Sequence, residues 1–287
     1  MNLSNFERAK VLTQALPYIK KYTNRIVVIK YGGNAMISPE LKAQVIEDLV
    51  LLWTIGVKIV LVHGGGPEIN ELSKKLGKEA TWVNGLRVTD EETVDIAQMV
   101  LSGKINKHLV NLLQTQGGNA IGISGVDGKL IEAEMKDPAL GYVGKITKIN
   151  PGAIQDLLDL GYLPVISTIG RDKKGNLYNI NADTAASSIA AALNAKRLVL
   201  LTDINGILKD KNDPSSVIEE MTVQEAKDLC SSDIISGGMI PKLECAIQAV
   251  EGGVYKTTII DGRVPHSIVM ELLTDEGAGT LIKGDVQ

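Results

Sequence analysis

Aromatic side chains are scarce in this 287-residue chain, at 3% of the residues with a single Phe. A hydrophobic core must therefore rest on Val, Ile and Leu. Histidine occurs only three times, scattered, which leaves no His-based metal cluster to assemble. Two cysteines, Cys230 and Cys245, are too few for a disulfide framework. Both fall in segments of helical pattern and read as ordinary buried or half-buried thiols. No apolar run reaches the ~20 residues of a membrane span, and no signal-peptide core opens the chain, so the expected location is cytoplasmic. The net charge of −4 provides no electrostatic footprint for nucleic acid or an anionic membrane. Proline is sparse too, nine residues against 29 glycines, and glycines spread this way suit many tight strand-to-helix turns. The remainder, 44% hydrophobic and 22% charged, is ordinary globular composition in a chain long enough for two lobes.

The first 25 residues stand apart. Ser4-Asn5-Phe6-Glu7 fits a capping box, and Phe6, Ala9, Leu12, Leu16 and Ile19 recur at helical spacing, with Pro17 placed to kink the helix. This helix precedes the first strand and has no crossover to make, so it packs on its own lobe or reaches a neighbouring subunit. From residue 26 short β-branched runs alternate with helical stretches. Strands are expected at 25–30, 58–62, 163–167, 197–202 and 255–260. Helices are expected at 38–56 (Ser38 as N-cap, Pro39 at the first position), 67–77, 91–116 behind Asp90, 153–160, 182–195 and 239–251. Thr222 to Glu225 offers a second capping box. Runs at 120–124, 129–133 and 145–149, joined by Gly turns, suggest an antiparallel hairpin region. The alternation implies an α/β fold, a three-layer αβα sandwich around a mostly parallel open sheet with helices on both faces.

The chemistry-bearing residues gather where strands end and glycines begin, the edge at which open α/β sheets bind ligands. Lys30-Tyr31-Gly32-Gly33-Asn34 follows the first strand, and His63-Gly64-Gly65-Gly66-Pro67 follows the second and opens a helix. Consecutive glycines let backbone amides approach an anion, and a helix N-terminus adds positive partial charge. Each loop by itself could be a plain βα turn; two on adjacent strands, one starting from a lysine, favour phosphoryl or carboxylate chemistry. Neither a G-x-x-x-x-G-K-[ST] loop nor a strand-linked G-x-G-x-x-G occurs, so a nucleotide would be held by another glycine architecture.

The stretches IKYGGN (29–34), VHGGGPE (62–68), NGLRVT (84–89), NINADTAA (179–186), LTDINGIL (201–208) and SGGMIPK (236–242) resemble, in order, those of the amino acid kinase family. NGLRVT and NINADTAA resemble the branch that phosphorylates the side-chain carboxylate of N-acetyl-L-glutamate with ATP in arginine biosynthesis. That resemblance implies an N-lobe over residues 26–195 that binds the acceptor and a C-lobe over 196–287 that binds ATP. Mg²⁺ would be held mainly by the nucleotide phosphates and water, with no protein ligand named.

By the same resemblance Lys30 and Lys242 flank the transferring phosphoryl group, and Asp183 orients them through charge-assisted hydrogen bonds. Amides of Gly32, Gly33 and Gly64 would hold phosphate oxygens. Gly65, Gly66, Arg87, Asn179 and Asn181 would contact the acceptor, Arg87 taking its α-carboxylate. Thr202, Asp203, Gly206, Gly238 and Met239 would line the nucleotide site. Plainer readings stay open from the residues themselves: Lys30 as a strand-end lysine, Lys242 as a surface helix lysine, Arg87 as a loop residue, Asp183 as a helix N-cap. The N-terminal helix resembles the extension of arginine-inhibited members, in which interlaced helices join dimers into homo-hexamers. L-Arginine would then bind near Tyr18, Arg197, Glu276 and Gly279, although the residues by the C-terminus equally suit exposed loop charges. A PII-type partner cannot be read from the sequence.

Overall fold

The computed structural model of the chain describes residues 4–36, 38–83, 86–210, 213, 216–232, 235, 238–275 and 277–284, with the side chains of Asn34 and Ala35 set aside. Two helices open it, α1 (Asn5–Gln14) and α2 (Leu16–Tyr22). Ser4 and Glu7 close the expected capping box, and the break falls at Ala15 with Pro17 in the first turn of α2, where a missing N–H costs nothing. No residue of α1 is buried, and Phe6 is 78% exposed.

The body runs β1 (Ile26–Tyr31), α3 (Pro39–Thr54), β2 (Lys58–His63), α4 (Gly66–Lys75) and the small hairpin β3 (Trp82–Val83) and β4 (Leu86–Arg87). Next comes α5 (Glu91–Gln98), which passes through a π-helical segment, Met99–Ile105, into α6 (Asn106–Thr115). There follow β5 (Ala120–Ser124), β6 (Ile131–Met135), β7 (Gly144–Ile149), α7 (Gly152–Asp159), β8 (Leu163–Ser167), β9 (Ile169–Arg171), β10 (Leu177–Asn179) and α8 (Ala182–Ala192). The last part holds β11 (Arg197–Thr202), β12 (Glu220–Thr222), α9 (Val223–Cys230), α10 (Met239–Glu251), β13 (Lys256–Asp261), α11 (Ser267–Leu273) and β14 (Gly279–Lys283).

Eight strands form one sheet in the order β12-β14-β13-β11-β1-β2-β8-β5, parallel throughout except for the β13–β14 pair. Side chains alternate across it. Val28, Val60, Val62 and Leu198 pack with Ala185, Ile189 and Leu243 of α8 and α10 on one face. Ile29, Ile59, Leu61 and Val199 pack with Leu49, Leu52, Leu109 and Leu113 of α3 and α6 on the other. Burial on both faces is why β1, β2 and β11 read as unbroken apolar runs. A second sheet, β10-β9-β6-β7, stands beside it.

Two expectations need correction. The run at 120–124 is not part of an antiparallel hairpin: β5 pairs in parallel with β8 at the edge of the main sheet, and the hairpin is β6–β7 alone. A short apolar strand carries no mark of which sheet it joins; the crossover through α6 decides it. The expected helix over 91–116 is continuous but contains the π-helical segment, which hydrophobic periodicity does not betray. The three-residue strands β9 and β10, the hairpin β3–β4, and β12, α11 and β14 were also beyond reach of the pattern. Cys230 and Cys245 are both free, half-buried and buried respectively.

Candidate active site

Because β1 and β2 are parallel with Lys30 beside Val62 and Tyr31 beside His63, their glycine turns leave the sheet side by side. The Gly64 N–H donates to the Tyr31 carbonyl at 2.9 Å and ties the turns together. Lys30 is 8% exposed, and its Nζ lies 2.9 Å from Asp183 Oδ1. Lys242, from the first turn of α10, places its Nζ 3.4 Å from Asp183 Oδ2. Two ammonium groups 212 positions apart in the chain thus meet on one buried carboxylate. Burial alone would raise the Asp183 carboxyl, but the charges and hydrogen bonds of the two lysines outweigh it and hold the group below the usual range.

Asp183 is not the helix N-cap. Asn181 fills that role, its Oδ1 accepting the Thr184 N–H at 3.0 Å, and Asp183 sits at the second position of α8. Arg87 lies at the end of β4, where Nη2 donates to the Gly66 carbonyl at 3.1 Å and the guanidinium stacks 4.7 Å over the Trp82 ring. Burial pushes its pKa down, though not out of the cationic range. Asn179 ends β10, with Nδ2 3.5 Å from Thr89 Oγ1.

One cavity of about 310 Å³ is lined by Lys30, Gly32, Gly33, Gly64, Gly65, Gly66, Arg87, Asn179, Asn181, Asp183 and Lys242. All expected phosphate, acceptor and transfer residues therefore face the same space. Trp82, Leu101, Val143 and Thr168 are among the further wall residues and had not been anticipated; as single apolar or hydroxyl residues outside the glycine-rich stretches they carry no sequence signal. A larger groove of about 580 Å³, edged by Lys42, Glu68, Glu71, Lys104 and His108, contains none of the expected residues.

The expected nucleotide set lies outside the cavity but abuts it. A Cβ on Gly33, whose φ is +72°, would fall 2.9 Å from Asp203 Oδ1, so the glycine turn after β1 touches the end of β11. Thr202 closes β11 with its Oγ1 accepting the Ile204 N–H at 3.3 Å. Gly206 (φ +138°) packs on Thr280 of β14. Gly238 precedes α10 and Met239 is its first residue; Ser236 and Gly237 of that motif, like Asn84 and Gly85 of NGLRVT, lie outside the described residues.

A third cavity of about 330 Å³ brings Tyr18, Arg197 and Gly279 together with four carboxylates, Glu219, Glu220, Glu271 and Asp275. Glu276, expected here, lies outside the described residues. Tyr18 donates to Asp275. Arg197 is buried; it donates to Tyr22 Oη and Thr258 Oγ1, both at 3.0 Å, and lies 3.5 Å from Glu271.

The sequence profile of the amino acid kinase family matches residues 25–261. The chain belongs to the amino acid kinase family. It is 49% identical over 292 residues to the acetylglutamate kinase of Heliobacterium modesticaldum, covering 98% of this chain and 99% of that protein. It is 53% identical over 277 residues to the acetylglutamate kinase of Caldanaerobacter subterraneus subsp. tengcongensis, covering 96% and 93%. Among solved structures, N-acetylglutamate synthase from Neisseria gonorrhoeae, complexed with coenzyme A and N-acetyl-glutamate, superposes with a TM-score of 0.85 at 26% identity; the match covers 97% of this chain but 64% of that longer one. The chain is an enzyme of the kinase class.

Proposed function

We propose that this kinase transfers the γ-phosphoryl group of ATP to the side-chain carboxylate of N-acetyl-L-glutamate, giving N-acetylglutamyl 5-phosphate, an early step of arginine biosynthesis. The observation that carries the reading is the meeting of Lys30 and Lys242 on Asp183 inside a cavity edged by two glycine turns. A carboxylate oxygen attacks the γ-phosphorus, the bond from that phosphorus to the bridging oxygen breaks, and ADP leaves with the electron pair. The acceptor is already ionised near pH 7, so no general base is needed. What the protein must do is bring two anions together and neutralise the charge between them. Lys30 and Lys242 supply that charge from opposite elements, and Asp183 keeps both aimed. Amides of Gly32, Gly33 and Gly64 receive phosphate oxygens.

Arg87 pairs with the α-carboxylate of the acceptor, and Gly65, Gly66 and Asn179 contact the rest. Asn181 has its Oδ1 committed to the α8 cap, so its Nδ2 is the atom left for a ligand. Asp183 is the one carboxylate among the described cavity residues, and two lysines occupy it. An acceptor with a free ammonium would find no acidic partner, which favours an acetyl-blocked amino group. ATP would occupy the 196–287 lobe along Thr202, Asp203, Gly206, Gly238 and Met239, facing the acceptor lobe of 26–195. Mg²⁺, neutralising phosphate charge, would ride on the nucleotide; Asp183, held by ammonium groups, does not suit it as a ligand.

Feedback inhibition by L-arginine at the 330 Å³ cavity, and a homo-hexamer joined through residues 1–25, belong to the same reading. Four carboxylates around that cavity suit a guanidinium, and no residue of α1 is buried within its own subunit. The deciding experiment is ADP release at fixed ATP over a panel of N-acetyl-L-glutamate, L-glutamate, L-aspartate and carbamate. Turnover confined to N-acetyl-L-glutamate is expected. Turnover of L-glutamate with none of its acetylated form would overturn the reading, and binding without any transfer would make the protein a sensor.

A further inference from the structure

Behind the glycine turn of β2 runs a chain of buried polar groups that the transfer step does not use. His63 is fully buried, and its Nδ1 lies 2.9 Å from the Gly64 carbonyl oxygen. A carbonyl can only accept, so Nδ1 carries the proton and Nε2 is bare. The Asn106 Nδ2 lies 3.3 Å from that Nε2, 2.9 Å from the Val165 carbonyl and 3.3 Å from that of Ile123. Only an NH₂ group can face two carbonyls, which sets the amide orientation; its two hydrogens are shared among three acceptors, the Val165 carbonyl being the nearest, and the bare Nε2 is compatible with an amide donor at 3.3 Å. Asn106 Oδ1 in turn accepts from Lys107 Nζ at 3.1 Å. Lys107, Asn106, His63 and the Gly64 peptide thus follow one another in polar contact from the surface to the glycine turn.

Packing leaves this chain little slack. A Cβ on Gly122 would fall 1.9 Å from Asn106 Oδ1, and one on Gly65 would fall 2.2 Å from Ile105 Cδ1. Ile105 ends the π-helical segment and Asn106 opens α6. The wide turn therefore seats a hydrophobic stop, Ile105, against Gly65 of the glycine turn and the Asn106 amide against His63 at the end of β2. No peptide bond among the described residues is cis, and in a trans peptide the C=O and N–H point in opposite directions. Drawing the Gly64 oxygen toward His63 thus turns the Gly65 N–H the other way. Among the described residues no backbone acceptor takes that N–H, and both Gly64 and Gly65 line the cavity.

We propose that His63 and Asn106 are positioning residues of the transfer site: through the neutral Nδ1–H tautomer they fix the Gly64–Gly65 peptide so that its N–H serves the reacting oxygens. Neither touches substrate. The proposal rests on the phosphotransfer reading of the cavity. A pair of this kind acts on the alignment of a donor, and a misaligned donor weakens the transition state more than the ground state.

The test has two arms. In histidine-¹⁵N-labelled wild type, two-dimensional proton–nitrogen spectra should show His63 protonated at Nδ1 alone and unchanged from pH 8 to pH 5.5; protonation at Nε2, or titration near 6.5, would sink the proposal whatever the substrate. In steady-state assays His63→Leu should lower kcat about 10²-fold, with the acceptor KM moving less than about threefold. His63→Asn, whose amide nitrogen falls near the position of Nδ1, should regain at least about tenfold of that loss, and Asn106→Ala should sit between. Wild-type kcat in His63→Leu, or no rescue by Asn, overturns the assignment. If His63→Leu does not fold, the Asn and Ala variants and the spectrum decide. Should the panel select another carboxylate, the same comparison is run with it; a wild type silent on every acceptor refutes the transfer reading while the spectrum still judges the tautomer.

Discussion

Asp183 carries two lysines at once, and much of the site's behaviour follows from that. Lys30→Ala and Lys242→Ala should each lower kcat by about 10²–10³-fold, with substrate KM changing far less, because the ammonium groups matter most where charge builds up in transfer. Steady-state kinetics at saturating ATP checks this. The depressed pKa of Asp183 also makes a stability prediction. A carboxyl depressed in the folded state contributes stability that is present above its unfolded value of 3.8 and is lost as pH falls through the folded one. The stability difference between wild type and Asp183→Asn, read from urea midpoints, should be flat above about pH 5 and shrink below 3.8. His63 has the opposite chemistry. Burial lowers its pKa from 6.5 to about 4, so the unfolded chain binds a proton that the folded one refuses. Wild-type stability should therefore fall between pH 6.5 and 4, and His63→Asn should remove that component of the slope. The two glycine turns, one opened by Lys30, pointed to anion chemistry from the sequence, whereas Lys242, Asp183 and Arg87 were singled out only by the family resemblance, since alone each reads as a surface, capping or loop residue. His63 and Asn106 were not legible, since their partners lie in other elements and a lone buried histidine looks like any other core residue.

Single elements set how well those residues are held. The α8 cap is the clearest case: Asn181→Ala should cost about 1 kcal/mol, whereas Asn181→Ser should keep most of the cap. Urea unfolding of the two variants separates the capping role from ligand contact, which both lose. The π-helical segment is the second case. Gly65→Ala pushes a methyl into Ile105 and Leu101 and should destabilise by about 1–3 kcal/mol of overpacking while lowering kcat. Trimming the obstacle with Ile105→Val in the same chain should recover part of both losses, and a double-mutant cycle measures the coupling. Helix and strand positions were largely legible. Strands β8 and β11 and helix α10 fall where the residue pattern put them, because full burial of the strands and the glycines that bound α10 leave strong signals. The three-residue strands and the π-helical segment left none, for their existence depends on partners rather than on local periodicity.

On the scale of the whole molecule, the N-terminal helices and the C-terminal elements are stitched together by one buried guanidinium. Arg197 of β11 reaches Tyr22 of α2, Thr258 of β13 and Glu271 of α11. Tyr18 and Asp275 join the same two regions at the rim of the 330 Å³ cavity. A ligand there would act on α2, while α1 keeps Phe6, Val11 and Leu12 exposed, as the proposed hexamer requires. Deleting residues 1–20 should give smaller assemblies by light scattering and weaken inhibition by arginine. Unchanged mass together with unchanged inhibition would refute both the hexamer and the effector site.

The sequence by itself determined the layering and the strand-end glycine turns, because these follow from apolar runs, caps and residue chemistry over a few neighbouring positions, and motif resemblance singled out the charged groups. Only the tertiary structure decided that Lys30, Asp183 and Lys242 share one cavity, that Asn181 rather than Asp183 caps α8, and that β5 joins the main sheet. Each of those depends on segments far apart in the chain meeting in one place, and local pattern carries no record of such a meeting.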